Sequence, residues 1–142
     1  MHKLLIPLDG SDNALRAVRY AIGLARSNGP ITVHLVSAHE EPEIYGEIAV
    51  YVTRERMAEL QQKHSEAAFA TAEKLLADAG VAFSREIVTG HIAEAIAQSA
   101  ERAGCDGIVM GTRGMSAIGN LVMGSVANKV VHLARVPVTL VK

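Results

Sequence analysis

The chain has little of the residues that mark several protein classes. Of its 142 residues, one is cysteine, none is tryptophan and only 4% are aromatic. A single thiol, Cys105, excludes an internal disulfide and fits a reducing compartment. Few aromatic side chains are available for stacking on bases. The net charge is −1, and the basic residues form no stripe that could follow a nucleic-acid backbone. We therefore expect no nucleic-acid partner.

Long hydrophobic runs are also missing. Hydrophobic residues make up 49% of the chain, but every apolar run is broken well before the ~20 residues that a membrane-spanning helix requires. The opening stretch MHKLLIPLDGS reaches a proline and an aspartate too early for a secretory leader. We expect one domain over residues 1–142, located in the cytoplasm and without a membrane partner.

Two hydrophobic periods alternate along the chain. Short apolar runs typical of buried strands are HKLLIPLD, ITVHLVS, VAFSREIV, GIVMG and VPVTLV. Helical patterns separate them: one is capped by Ser11, one covers residues 54–79, one covers HIAEAIAQSAERA and one follows Asn120. The connection from Ala38 to Thr53 is too irregular to assign. Strands that alternate with helices predict a doubly wound α/β domain whose parallel sheet is covered on both faces.

Two chemically distinctive loops fall where such a domain binds ligands, outside the carboxyl ends of its strands. If the first strand is central, its end, PLDGS, and the end of the fourth strand flank one crevice. The fourth strand leads into GTRGMSAIGNLVMGS, which has four glycines in fifteen residues. Glycine lets backbone N–H groups approach phosphate oxygens closely, and the helix that follows presents its positive end. The sequence therefore predicts a phosphate-binding crevice.

Two common phosphate motifs do not fit these loops. The first loop contains only DGSD, where a dinucleotide fingerprint needs G-x-G-x-x-G. GNLVMGSV has P-loop glycine spacing but places Ser125 where the lysine belongs, so P-loop chemistry lacks its main cation. What remains is Gly111, two residues, Gly114, nine residues, and then Gly124 with Ser125.

This glycine spacing resembles the signature of the ATP-binding branch of the universal stress protein family. IPLDGS, VTGHIAEAI, CDGIVMGTRG and VPVTLV extend the similarity over the whole chain. The resemblance implies an adenine nucleotide alpha-hydrolase-like fold, in which one doubly wound domain has a five-stranded parallel sheet of order 3-2-1-4-5 and four helices. It also implies a homodimer that binds an adenine nucleotide in the crevice. The cofactor would be ATP or AMP, with Mg²⁺ held by phosphates and water more than by carboxylates.

The resemblance assigns four residues to the nucleoside end of the ligand. Asp9 would accept hydrogen bonds from the ribose hydroxyls, and Pro7 would shape the turn that carries Asp9. Val36 would meet adenine mainly through its backbone, and Gly111 would lie under the ribose. Two alternatives need no ligand: Asp9 could cap the first helix, and Gly111 could be required for strand-to-helix packing.

Four further residues would take the phosphates: Arg113, Gly114, Gly124 and Ser125. Many family members have histidine at the position of Arg113. We assign no catalytic residue, because the glycine stretch contains no Asp, Glu or His to position an attacking water. The predicted function is ATP binding with a regulatory role in the stress response. The alternatives are a slow ATPase, an AMP or cyclic-nucleotide binder, and a nucleotide-free dimer scaffold.

In the strand order that the resemblance implies, the last predicted strand lies at an edge of the sheet. This position predicts how two copies of the chain associate. An exposed, regular edge is a template for pairing, and residues Val136 to Val141 carry no charge. We therefore expect a homodimer built on this segment. The alternative is a monomer in which a loop, such as that from Ala38 to Thr53, covers the edge.

Three histidines have explanations other than metal binding. His34 and His64 are expected in the core or at an edge. His39, beside two glutamates, is expected in a solvated loop, because no second histidine lies at ligand spacing. We therefore predict no metal site in the protein itself.

Overall fold

A computed structural model describes residues 2–40, 47–112 and 124–142. The strands are β1 (Lys3–Pro7), β2 (Thr32–His39), β3 (Ala82–Thr89), β4 (Gly107–Gly111) and β5 (Val138–Val141). The helices are α1 (Asp12–Asn28), α2 (Glu47–Asp78), α3 (Ile92–Arg102) and α4 (Ser125–Leu133). None of the helices in these ranges is long and apolar enough to cross a membrane.

The strands form one parallel sheet with the order β3-β2-β1-β4-β5, which confirms the expected topology. The central strand β1 pairs with β2 on one side and with β4 on the other. Successive connections run towards β3 on one side of β1 and towards β5 on the other, so the strand order reverses next to β1. The carboxyl ends of β1 and β4 therefore flank the crevice that doubly wound folds use for ligands.

Two apolar layers sandwich the sheet because alternate strand residues point to opposite faces. Leu4, Ile6 and Val33 pack with Val18 of α1 and Phe69 of α2 on one face. The other face is formed by a different set, in which strand residues meet side chains of α3 and α4: Leu5, Val36, Ile108, Ile96, Ala100, Ala127 and Val130. Both layers are buried, and the helix termini are thereby held at the two ends of the sheet.

The structure differs from the sequence prediction between the second strand and the second helix. The irregular connection was expected from Ala38 to Thr53, but β2 continues to His39 and α2 already begins at Glu47. Residues 47–53, EIAVYVT, are rich in apolar and β-branched side chains without a clear helical period, which hides the helix in the sequence. The extra strand residues bring Ala38 and His39 to the ligand end of the sheet.

Candidate functional site

A cavity of about 300 Å³ opens at the carboxyl ends of the central strands. The ends of β1, β2 and β4 form its floor, and the first turns of α1, α3 and α4 form its walls. Most of the residues that line it are apolar, among them Leu8, Ile92, Ile96, Met110 and Ala127. A mostly apolar cleft with a few polar groups, at the point where the strand order reverses, is typical of a small-molecule site.

The structure brings five of the eight predicted site residues together. Those lining the cavity are Pro7, Asp9, Gly111, Gly124 and Ser125. Arg113 and Gly114 lie outside the described residues, so their phosphate roles stay predictions. Val36 does not line the cavity; its side chain is fully buried in the core.

Asp9 follows the end of β1, with its side chain exposed. Its Oδ1 accepts a hydrogen bond from the Ser11 N–H at 2.9 Å. The cap of α1 is Ser11 and not Asp9, because Ser11 Oγ accepts from the Ala14 N–H at 3.3 Å. Within the described residues Oδ2 of Asp9 has no hydrogen-bond partner. One carboxylate oxygen therefore orders the turn, and the other can accept from a ligand hydroxyl.

The resemblance assigned an adenine contact to the backbone of Val36, but it is Ala38, two residues further along β2, that lines the cavity. The Val36 carbonyl oxygen accepts from the Leu8 N–H at 2.7 Å, whereas the His39 carbonyl accepts from the Gly90 N–H on the other side of β2. Backbone groups alternate between the two sides of a strand, so those of Ala38 face the side of β1, just beyond its last pairing. In the part of the chain that the structure describes they have no backbone partner. Ala38 lines the cavity.

Gly111 ends β4 against the first turn of α1. A Cβ atom at Gly111 would lie 2.8 Å from both Cβ and the carbonyl oxygen of Asn13, closer than real contacts allow. Packing alone therefore requires glycine here, as the strand-to-helix alternative proposed. The same approach brings the end of β4 and the Asp9 turn to one cavity.

The start of α4 also lines the cavity, next to the end of β4. Gly124 is the N-cap, and its N–H donates to the Thr112 carbonyl oxygen at 2.6 Å. Gly124 offers no side chain to cap the helix, so the N–H groups of Ser125 and the two residues after it lack the partners that a helix interior would supply. These groups and the helix dipole favour an anion. The Gly124 N–H is not available to such an anion, because it already donates its hydrogen bond to the Thr112 carbonyl oxygen.

Two histidines for which the sequence predicted no functional role lie beside this cavity. His39 was expected in a solvated loop, but it is half-buried at the end of β2, where Nε2 lies 2.8 Å from Ser65 Oγ and 3.0 Å from Ser37 Oγ. His64 was expected in the core or at an edge, yet it is exposed and its Nε2 lies 3.0 Å from the Asp9 carbonyl oxygen. The useful signal was Ser37 and His39 two apart on one strand, which places both on the same face.

The surroundings of His39 disfavour its charged form. Burial lowers its pKa, and the nearby His64 lowers it further. The two rings meet edge to face with centroids 6.0 Å apart. Among the described residues, no cluster of three or more His, Cys, Asp or Glu side chains could hold a metal ion.

The fold and the cavity define a doubly wound α/β domain with a ligand site at the carboxyl edge of its sheet. Comparison with known proteins gives the family. The model of the universal stress protein family matches residues 1–142, and the chain belongs to this family. It is 35% identical over 139 residues to a universal stress protein of Thermus aquaticus, covering 98% of this chain and 97% of the relative. A Methanocaldococcus jannaschii universal stress protein is 31% identical over 140 residues, covering 99% and 81%.

Solved structures share the same fold. Universal stress protein UspA from Lactobacillus plantarum superposes with a TM-score of 0.86 at 21% identity, covering 99% of this chain and 97% of that one. A universal stress protein in complex with cAMP has a TM-score of 0.67 at 25% identity, covering 99% and 97%. An Arabidopsis thaliana family member with AMP bound has a TM-score of 0.72 at 19% identity, covering 100% and 92%.

Proposed function

We propose that this chain is a regulatory protein that binds an adenine nucleotide, ATP or AMP, in the carboxyl-end cavity. The observation that carries the proposal is a single cavity lined both by a carboxylate, on the turn after β1, and by a helix N-terminus, that of α4. A nucleotide has matching parts: ribose hydroxyls that donate hydrogen bonds and phosphates that carry negative charge. The relative in complex with cAMP supports this choice of ligand.

The base end would be read by Ala38. Its N–H can donate to N1 of adenine, and its carbonyl oxygen can accept from the N6 amino group, as a neighbouring strand would do. Guanine presents a donor and an acceptor in the reverse order, so it cannot make both bonds in the same orientation. The Ile92, Ile96 and Met110 side chains of the same cavity supply apolar surface for the ring. We expect a preference for ATP over GTP.

The ribose and phosphates would occupy the rest of the cavity. The oxygen Oδ2 of Asp9 would accept from a ribose hydroxyl, beside the turn that Pro7 begins. The phosphates would face the first N–H groups of α4 and the hydroxyl of Ser125. Arg113 and Gly114 would complete this end. Mg²⁺ would arrive with a triphosphate and keep mainly phosphate and water ligands, as its preference for octahedral oxygen coordination allows.

Hydrolysis would be slow. Asp9 is the only carboxylate of the described residues that line the cavity, and none of them is histidine. Asp9 is assigned to the ribose end, so no base remains to orient a water behind the terminal phosphate. We expect turnover well below the ~10 s⁻¹ that is the median of ordinary enzymes. The function would therefore lie in occupancy of the site, in a homodimer built on residues 136–141.

Calorimetric titration tests the proposal. The Asp9→Ala variant should weaken ATP and adenosine alike, by about tenfold or more, because it loses a charged hydrogen bond at the nucleoside. Gly124→Val should weaken ATP and spare adenosine, because it crowds the phosphate end. Asp12→Ala is the matched control, since Asp12 is an exposed aspartate three residues from Asp9 and lies outside the cavity. Equal affinities for ATP and GTP, or equal effects at the two aspartates, would contradict the proposal.

A further inference from the structure

Two consecutive residues of α2 contact the turn after β1 and the end of β2, which both contribute residues to the proposed nucleoside site. His64 reaches the turn after β1, where its Nε2 lies 3.0 Å from the Asp9 carbonyl oxygen. A carbonyl oxygen can only accept, so Nε2 carries the hydrogen and His64 is the donor. The bond joins residues 55 positions apart in the chain. It is therefore a tertiary contact that fixes this turn against α2.

His64 also lies directly against the peptide that follows Asp9. Gly10 has a φ of +84°, in the left-handed region, and a Cβ atom there would approach His64 Cε1 to 3.1 Å. The imidazole thus packs on a turn whose backbone conformation favours glycine. The same turn presents the Asp9 carboxylate, whose Oδ1 is bound by the Ser11 N–H. Loss of the His64 contact should therefore change the conformation of the turn formed by Asp9, Gly10 and Ser11 before that of other segments.

Ser65, the next residue of α2, contacts β2 in place of β1. It is fully buried, and its Oγ lies 2.8 Å from His39 Nε2 and 2.8 Å from Ser37 Oγ. Ser37 and His39 stand on either side of Ala38, whose backbone faces the cavity. Two adjacent residues of α2 therefore contact both the turn that carries the Asp9 carboxylate and the end of β2, which is proposed to bind the base.

We infer that His64 is a positioning residue for the Asp9 carboxylate, so that ribose recognition depends on the contact between α2 and the β1–α1 turn. This inference rests on the proposed function. His64 does not line the cavity proposed for the nucleotide, so it would act through the Asp9 carbonyl and the orientation of the turn. Ser65 holds the neighbouring strand end and has no contact with the turn among the described residues.

The nucleotide arm of the test compares the affinities of ATP and 2′,3′-dideoxy-ATP, which lacks the hydroxyls that Asp9 would bind. The unmodified protein should prefer ATP. His64→Ala should reduce this preference about threefold or more, the size of one lost hydrogen bond, and His64→Gln should restore it because its amide can donate. Asp9→Ala should remove the preference, and adding His64→Ala to it should change nothing further.

A merely structural role would give a different result. If His64→Ala weakens both nucleotides equally and leaves their ratio unchanged, the inference is wrong. Ser65→Ala is the adjacent control, because it disturbs β2 and should leave the ratio at its original value. A ratio that falls as far in Ser65→Ala as in His64→Ala would show general loosening of α2, which also overturns the inference.

A second arm needs no nucleotide. Hydrogen exchange of the Ser11 amide reports its bond to Asp9 Oδ1, so it should accelerate in His64→Ala and return in His64→Gln. Exchange that stays unchanged in His64→Ala would contradict the positioning role. If the unmodified protein binds no adenine nucleotide, the proposed function fails, while the Ser11 amide still shows whether His64 holds the turn.

Discussion

Gly111 and Asn13 approach so closely that no side chain fits between them. An added Cβ at Gly111 would lie 2.8 Å from the Asn13 carbonyl oxygen and 2.8 Å from its Cβ. Neither a backbone oxygen nor a Cβ in a helix can move aside without displacing α1. This contact limits how closely the end of β4 approaches the first turn of α1, and residues of both elements line the cavity.

Gly111→Ala should therefore destabilise the protein by about 1–3 kcal/mol, the usual cost of overpacking a well-packed contact. Urea unfolding measures this change. Gly23→Ala is the matched control, because Gly23 lies inside α1 with nothing within 4 Å of an added Cβ. The control should gain about 0.5–1 kcal/mol from helix propensity. Equal stabilities of the two variants would mean that the Asn13 contact relaxes freely.

The proposed homodimer has a sharp test in the backbone of β5. The Ile108 N–H donates to the Pro137 carbonyl and the Thr112 N–H donates to the Val141 carbonyl, so odd-numbered residues of this strand face β4. Even-numbered residues face the outer edge. Leu140→Pro removes one outward donor and should split the dimer, whereas Leu140→Ala loses similar packing and keeps the donor. Light scattering of the unmodified protein giving a mass near 15.1 kDa would contradict the dimer.

Stability should fall as the pH drops below neutrality because of His39. Burial and the neighbouring His64 hold its pKa below the ordinary 6.5 in the folded state. The unfolded chain then binds more protons than the folded chain between the folded pKa and 6.5, so the free energy of unfolding decreases as the pH falls through that window. His39→Gln should reduce this slope. An identical slope in both proteins, measured by urea unfolding from pH 7 to pH 5, would contradict the assignment.

Cys105 should react slowly with thiol reagents in the native protein. It is 6% exposed, and burial raises the pKa of its thiol, so both access and thiolate content are reduced. We expect labelling by a chromogenic disulfide to be at least about tenfold slower in the folded protein than in urea. Equal rates in the two states would show that the segment before β4 opens readily.

The architecture could be predicted from sequence because its signals are local and repeated. Alternating strand and helix periods identified every described strand, and Ser11 was recognised as the cap of α1. The structure confirms both. The start of α2 was missed because residues 47–53 lack a helical period and resemble a strand.

The candidate site could be predicted only in part. Glycine and aspartate residues at the strand ends identified the two loops in the sequence. In the structure Asp9, Gly111 and Ser125 from these loops line one cavity. The resemblance named Val36, whereas Ala38 lines the cavity. Which residue of β2 faces the cavity depends on where β1 stops pairing, and composition does not show this. The contact between His64 and Asp9 depends on how α2 packs against the sheet. The two residues are 55 positions apart, and no local sequence pattern indicates that they meet.

The central claim, an adenine nucleotide in the carboxyl-end cavity, is tested most directly by following backbone amide signals in an NMR titration with ATP. We predict saturable shifts at Ser11, Ala38, Thr112 and Ser125, which line the cavity, and none at Gly80 or Gly104, which lie in the turns at the opposite end of the sheet. GTP should give weaker shifts at the same amides. No saturable shift up to millimolar ATP, or the largest shifts at the opposite end, would contradict the account.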